Sequence, residues 1–156
     1  MVQKKSSAKT PKNQSSKVVI HELKTKQDWQ SMYPLIKQHN KTMTRKTYDA
    51  LLPEMLARGY RCIGAYQGEK LVGVMGFWVG VRFWCKKYID IDNVVVDKSL
   101  RSKGIGSKMM AWVEAEGRRQ KCDMSMLDCY VSYHASHRFY FREGYCILGY
   151  HFTKNL

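Results

Sequence analysis

The sequence predicts a mixed α/β domain, a sheet of parallel and antiparallel strands with helices on both faces. Three observations carry that expectation. The apolar period switches along the chain from helical spacing to alternation and back. A β-branched strand, a glycine turn and an amphipathic helix follow one another between Tyr88 and Arg119, which is the first half of a crossover unit. At 156 residues and 44% hydrophobic content, the chain has the length of one domain and enough apolar surface for its own core.

Residues 1–17 hold Lys4, Lys5, Lys9, Lys12 and Lys17 among polar residues, with no acid. Nothing there offsets the entropy lost on ordering, so a disordered basic tail is expected, with 18–156 as the single folded domain. Val18-Val19-Ile20 opens a strand that runs to Leu23. Trp29, Met32, Tyr33 and Ile36 recur at helical spacing over 27–39, and Tyr48, Leu51, Leu52, Met55 and Leu56 over 45–58. Two amphipathic helices follow, with Pro34 and Pro53 as points of bending. Gly59 ends the helical region. Arg61–Tyr66 and Leu71–Phe83 form a hairpin through Gln67-Gly68-Glu69-Lys70, and Tyr88–Val96 is the next strand. A turn over 99–103 leads to a helix at Gly104–Arg119, where Ile105, Met109, Trp112 and Val113 share one face. Met124–Val131 reads as a strand, His134–Glu143 as a short helix capped by Ser132, and Tyr145–Thr153 as a last strand after Gly144. The predicted order is β-αα-βββ-α-β-α-β.

Charge narrows the partners. Against 13 acidic residues stand 27 basic ones, a net charge of +14, of which the five tail lysines supply a part. Such a field favours a polyanion, an anionic cofactor or an acidic substrate. The odd count of 5 cysteines, with no CxxC pair, fits reduced thiols inside a cell better than a disulfide framework. No apolar run approaches the roughly 20 residues that cross a bilayer. The basic N-terminus leads into polar residues instead of a secretory core, so a cytoplasmic protein without membrane contact is expected. His134 and His137 are three apart with no well-spaced third ligand, so no metal is expected.

The most informative stretch is Val94-Val95-Val96 followed by Arg101-Ser102-Lys103-Gly104-Ile105-Gly106-Ser107-Lys108. Glycines after a strand let the backbone turn sharply, and the N–H groups that open the next helix lack intrahelical partners and point at an anion. Arg101, Lys103 and Lys108 add positive charge. Neither the G-x-G-x-x-G spacing of a dinucleotide site nor the GxxxxGK[ST] of a Walker A loop is present.

This R-x-x-G-x-G segment resembles the acetyl-coenzyme A pyrophosphate loop of the GNAT (Gcn5-related) N-acetyltransferase superfamily. Downstream, the run from Ala135 through Phe139-Tyr140 to Gly144-Tyr145 resembles the A-x-x-F-Y-x-x-x-G-[FY] segment of the same family. Together with the element order, the resemblance spans residues 18 to about 154. It implies a GNAT-like acyl-CoA N-acyltransferase fold with a splayed central sheet, and acetyl-coenzyme A as cosubstrate. The amides of Ser102, Lys103, Gly104, Ile105, Gly106 and Ser107 would receive the pyrophosphate, and Arg101 would shape the turn. The backbone of Val94, Val95 and Val96, chiefly the first and last, would hold the pantetheine arm. Tyr140 falls where relatives commonly carry a tyrosine that hydrogen-bonds the departing thiolate and could protonate it, and Tyr133 stands where an asparagine often contacts the cofactor arm.

Direct attack of an amine on a thioester needs an oxyanion partner and a proton for the leaving sulfur, but no covalent enzyme intermediate. Cys129 and Cys146 therefore read as small buried hydrophobes, not nucleophiles. Asp90 and Asp92 lie two apart on a strand and share a face, with Ile91 and Asn93 on the other. Their position resembles that of an acidic proton acceptor in some relatives, and Asp92, nearer the valines, is the better candidate for the base. The acceptor is an amine that the resemblance leaves open, from polyamines and amino acids to aminoglycosides and peptide amines. Its pocket is expected between the two helices of 27–58 and the 78–88 region, where Trp78, Phe83, Trp84 and Tyr88 either line an entrance, form a dimer surface or fill a hairpin core. A homodimer through terminal elements and weak nucleic-acid contact through the tail are further expectations. Two rival functions remain open at this level: a basic nucleic-acid- or ribosome-associated protein, and a noncatalytic coenzyme A binder.

Overall fold

The computed structural model describes residues 17–156. The expected basic tail, apart from Lys17, lies outside them. The elements are β1 (Val18–Glu22), α1 (Lys26–His39), α2 (Arg45–Ala57), β2 (Arg61–Gln67), β3 (Lys70–Arg82), β4 (Lys86–Val96), a 3-10 turn at Lys98–Leu100, α3 (Ile105–Arg119), β5 (Met124–Leu127) and α4 (His134–Arg142). The five strands form one sheet in the order β1-β2-β3-β4-β5. The first three pairings are antiparallel and β4 with β5 is parallel, the geometry a helical crossover through α3 imposes.

Helix starts follow local chemistry. Thr25 caps α1 in a reciprocal capping box with Asp28, and the Thr44 side chain accepts from the Thr47 N–H at the start of α2. Pro34 and Pro53 lie inside these helices without dividing them. Each sheet face buries a separate core. Ile63, Met75, Phe77, Ile89 and Ile91 pack beneath Met109, Met110 and Val113 of α3. On the other face Cys62, Val74 and Val95 meet Met32, Leu35 and Ile36 of α1 and Tyr48 of α2. Alternation along the strands sends neighbours such as Cys62 and Ile63 to opposite cores.

The end of the chain departs from the sequence reading. The strand expected at Tyr145–Thr153 is not formed, and residues 145–156 carry no regular structure. β5 stops at Leu127, short of the expected Val131. Strand propensity forms a strand only where a ladder partner supplies hydrogen bonds, and among the described residues this segment has none. For the same reason Cys146 is exposed instead of buried, and Cys129 is only partly covered. Ser132 does not cap α4. Its N-cap is Tyr133, which makes no side-chain cap bond.

Candidate active site

Pairing between β4 and β5 runs from Tyr88 and Met124 to Ile91 and Leu127 and then stops, while β4 continues to Val96. The sheet therefore opens into a gap beside Asp92–Val96. One irregularity sets what lines it: Gly76 pairs with Asp92 and Val74 with Val95, so β4 carries an extra residue opposite β3. This is a β-bulge, with Asn93 in left-handed conformation at φ 52°. The bulge resets alternation. Val95 goes to the α1/α2 core while Val94 and Val96 pack at the edge of the α3 core. The Asp97 N–H donates to the Val72 carbonyl, so ladder alternation turns the peptide groups of Val94 and Val96 away from β3 toward the gap. Of these, the Val96 carbonyl accepts from Gln38 Nε2 at 3.0 Å.

Asn93 does not lie on the face opposite Asp92, as plain alternation predicts. Its Nδ2 donates to Asp92 Oδ2 at 2.5 Å, because the bulge swings its side chain round. Trp78 is a second hydrogen-bond partner of Asp92, and burial raises the carboxyl above the ordinary aspartate range. Tyr60 completes the cluster: its ring lies across Gly76, the β3 partner of Asp92, and its hydroxyl bonds Asn93. Asp90, one pair further along, is half-buried and also raised, by burial first and then by Asp128. Next to Asn93 and Tyr60, a cavity of about 70 Å³ lies between α1 and α2, walled by Met32, Ile36, Met43, Tyr48, Leu51, Leu52 and Met55. Of the four aromatics of 78–88, Trp78 packs on Tyr60 at 5.1 Å and Arg82 stacks on Tyr88, while Phe83 and Trp84 are exposed at the hairpin tip.

Tyr140 approaches from the opposite face, packed at the edge of the α3 core with Val94, Val96 and Leu127. Its ring meets Tyr145 edge-on at 6.3 Å. Burial, with smaller contributions from Cys129 and Tyr145, pushes its phenol up to about 12, so it stays protonated at neutral pH.

The loop after β4 is held from two sides. The Asp97 carboxylate accepts from the Ser99 hydroxyl and amide and from Lys70, which draws it down to about 2. Gln38 of α1 takes the Lys98 N–H on its Oε1, so one side chain clamps both the end of β4 and the start of the loop. Ser102 and Gly104 both have positive φ, 61° and 76°. At Gly104 that conformation admits a side chain only with strain. Lys108 N–H is the first to close a helical bond, onto the Gly104 carbonyl. The N–H groups of Ile105, Gly106 and Ser107 thus open the helix, and unlike α1 and α2 it has no side-chain cap. This end suits an anion. Ile105 is buried as an anchor, whereas Arg101, Ser102 and Lys103 are exposed. Gly106 has a packing role too, since a Cβ there would come within 3.0 Å of Phe139 in α4. Ser107 Oγ donates to Glu143 at 2.6 Å, a second tie to that helix.

Tyr133, at the start of α4, is partly exposed with its ring against Tyr130. Sequence reasoning missed Gln38, Tyr60 and the pairing of Asn93 with Asp92. No motif marks them, because the bulge and the packing of α1 bring them in. Among the described residues no group of three or more His, Cys, Asp and Glu gathers in a way that could hold a metal ion.

A family model described as the Acetyltransferase (GNAT) family matches residues 24–145. An aminoalkylphosphonate N-acetyltransferase of Salmonella typhimurium is 28% identical over 135 residues, 85% of this chain and 88% of that protein. Among solved structures, an aminoglycoside N-acetyltransferase AAC(6')-Iy in complex with CoA superposes with a TM-score of 0.80 at 16% identity, over 92% of this chain and 97% of that one. A glucosamine-6-phosphate N-acetyltransferase from Arabidopsis thaliana does so with a TM-score of 0.71 at 20% identity, over 90% and 99%. These structural likenesses concern the fold.

Proposed function

The chain belongs to the acetyltransferase (GNAT) family, and from that premise we propose that it transfers an acetyl group from acetyl-coenzyme A to a primary amine by direct attack in a ternary complex. The observation that carries this reading is the gap between β4 and β5, with the uncapped start of α3 at one end and two groups of raised pKa on either face. Acetyl-coenzyme A supplies the activated acyl carbon and a thiolate leaving group. The residue assignments that follow are part of the proposal, as is the treatment of 18–156 as one functional unit.

The amides from Ser102 to Ser107 receive the pyrophosphate, helped by Arg101 and Lys103, and the outward peptide groups of Val94 to Val96 align the arm. Asp92, held by Trp78 and Asn93, takes the proton that the amine sheds as its nitrogen bonds the acyl carbon. Asp90 is the reserve acceptor. Tyr140 gives its phenolic proton to sulfur as the carbon–sulfur bond breaks. The proton account closes, one gained at the carboxylate and one lost at the phenol, and solvent exchange resets both.

The acceptor in this reading is a small amine whose body reaches the apolar cavity between α1 and α2. A chain of net charge +14 disfavours polycations. The Salmonella relative's aminoalkylphosphonate is therefore a better first acceptor to try than an aminoglycoside.

Calorimetric titration with acetyl-coenzyme A tests the core of the proposal, beside a Gly104→Arg variant shown to be folded. Binding by the parent and its loss in the variant support the loop assignment and justify an acceptor screen by free-thiol release. A folded parent that binds no acetyl-coenzyme A overturns the proposal.

A further inference from the structure

Past Ile91 the outer edge of β4 runs on without β5, whose last pair is Leu127. The Asp97 N–H is spent on the Val72 carbonyl of β3, so alternation turns the N–H and carbonyl of Val94 and of Val96 outward along that edge. Backbone polar groups at such a place call for partners. The Val96 carbonyl has one, Gln38 Nε2 at 3.0 Å, and the Oε1 of the same side chain accepts the Lys98 N–H at 3.1 Å. A donor to residue 96 together with an acceptor from residue 98 is the pattern that one residue of a parallel strand makes opposite Asp97. The carboxamide of Gln38 thus stands in for a strand residue where β5 has ended. Its place is fixed by α1, whose Met32, Leu35 and Ile36 are buried against the sheet. Gln38 itself is only partly buried, so apolar packing does not account for it.

We propose that Gln38 is a positioning residue that sets the register of the coenzyme A arm along β4. The arm carries amides, and an amide lying along a strand edge needs one carbonyl and one N–H in parallel-strand spacing. The Val94 carbonyl and the Val96 N–H offer that frame. The Val96 carbonyl and the Lys98 N–H would offer a second, two residues on, and Gln38 occupies both of its groups. A slip between the two frames is roughly 6–7 Å along the strand. Even about 1 Å of misplacement can cost on the order of 100-fold in rate, so a slipped thioester would lie out of reach of Asp92 and Tyr140. The inference rests on the acetyl-coenzyme A reading above and goes beyond it in assigning α1 a part in placing the arm.

Amide exchange read by NMR, with coenzyme A as the probe, tests the frame without turnover. In the parent, coenzyme A is expected to protect the Val96 N–H and to leave the Lys98 N–H, already bonded to Gln38, as it was. In a Gln38→Met variant the Lys98 N–H should exchange faster in the free protein and become protected by coenzyme A. Saturated kcat should then fall by about 10- to 100-fold, while calorimetric affinity for acetyl-coenzyme A changes little. Gln38→Glu keeps an acceptor for Lys98 but presents a carboxylate to the Val96 carbonyl, and is expected to lose kcat too; it decides if Gln38→Met fails to fold. An unchanged kcat in a folded variant overturns the proposal. So does a loss of affinity with kcat intact, which would make Gln38 a holder of the loop alone. A parent that turns over while its Val96 N–H stays unprotected fails this inference only, whereas a parent that binds no coenzyme A fails the underlying reading and this one with it.

Discussion

Tyr140 packs at the edge of the α3 core and Asp92 bonds Trp78 and Asn93, and burial moves both upward in pKa with different consequences. For Tyr140 a value near 12 keeps the proton in place at neutral pH, ready to be given. A Tyr140→Phe variant is expected to lose about 100-fold or more in kcat with acetyl-coenzyme A affinity nearly unchanged, as measured by thiol release and calorimetry. For Asp92 the rise means that the base form appears only as pH climbs through a value above the ordinary aspartate range. The rate should therefore fall toward acid earlier than a solvated carboxylate would dictate. In Asp92→Asn that limb should vanish from the kcat profile and the maximum rate should drop. An unchanged acid limb would assign the base to another group, Asp90 first. The loop from Arg101 to Ser107 and Tyr140 were legible in the sequence because each belongs to a local motif on a single turn. The pairing of Asn93 with Asp92 was not, since a bulge of one residue made it, and neither was Tyr60, whose ring reaches Asp92's β3 partner Gly76 across the sheet.

Among the elements, α1 and β2 do more than pack. The last turn of α1 carries Gln38, which holds the strand end and the loop start. β2 carries Arg61, which pairs with Glu22 of β1 at 2.6 Å and with Glu116 of α3, tying the sheet to the helix that begins at the anion site. Glu116 is buried, with Arg119 and Gln120 completing its bonds. Those bonds, Arg119's above all, hold its carboxyl down to about 2. A depressed carboxyl stabilises the fold fully above its unfolded value near 4.5, and that contribution is lost as pH falls toward 2. Glu116→Ala leaves Arg61 partly unpaired and is expected to cost about 3 kcal/mol in urea unfolding at neutral pH. The deficit should shrink as both proteins are taken below pH 4. Element positions from α1 through β4 were legible because periodicity and caps are local. The failure at Tyr145–Thr153 has the complementary cause: the residues favour a strand, but only a neighbour could make one.

At the scale of the whole molecule, a chain of net charge +14 meets a polyanionic cosubstrate in the proposed function. Affinity for acetyl-coenzyme A should fall steadily as salt rises, because the Debye length shrinks from about 10 Å at 0.1 M to about 3 Å at 1 M. Calorimetry at stepped ionic strength measures it, and a flat response would mean that backbone amides at the start of α3 dominate over the field. No helix among the described residues is long and apolar enough to cross a membrane.

The sequence by itself determined the alternation of elements, the two faces of the sheet, and a glycine loop after a β-branched strand, all of which are written in residues close along the chain. Tertiary structure alone decided the rest. It set where β4 and β5 part, that one extra residue turns Asn93 toward Asp92, that Gln38 reaches the strand end, and that the C-terminal segment pairs with no strand among the described residues. Each depends on the register and separation of strands distant in sequence, and a one-residue change of register reverses which side chains share a face.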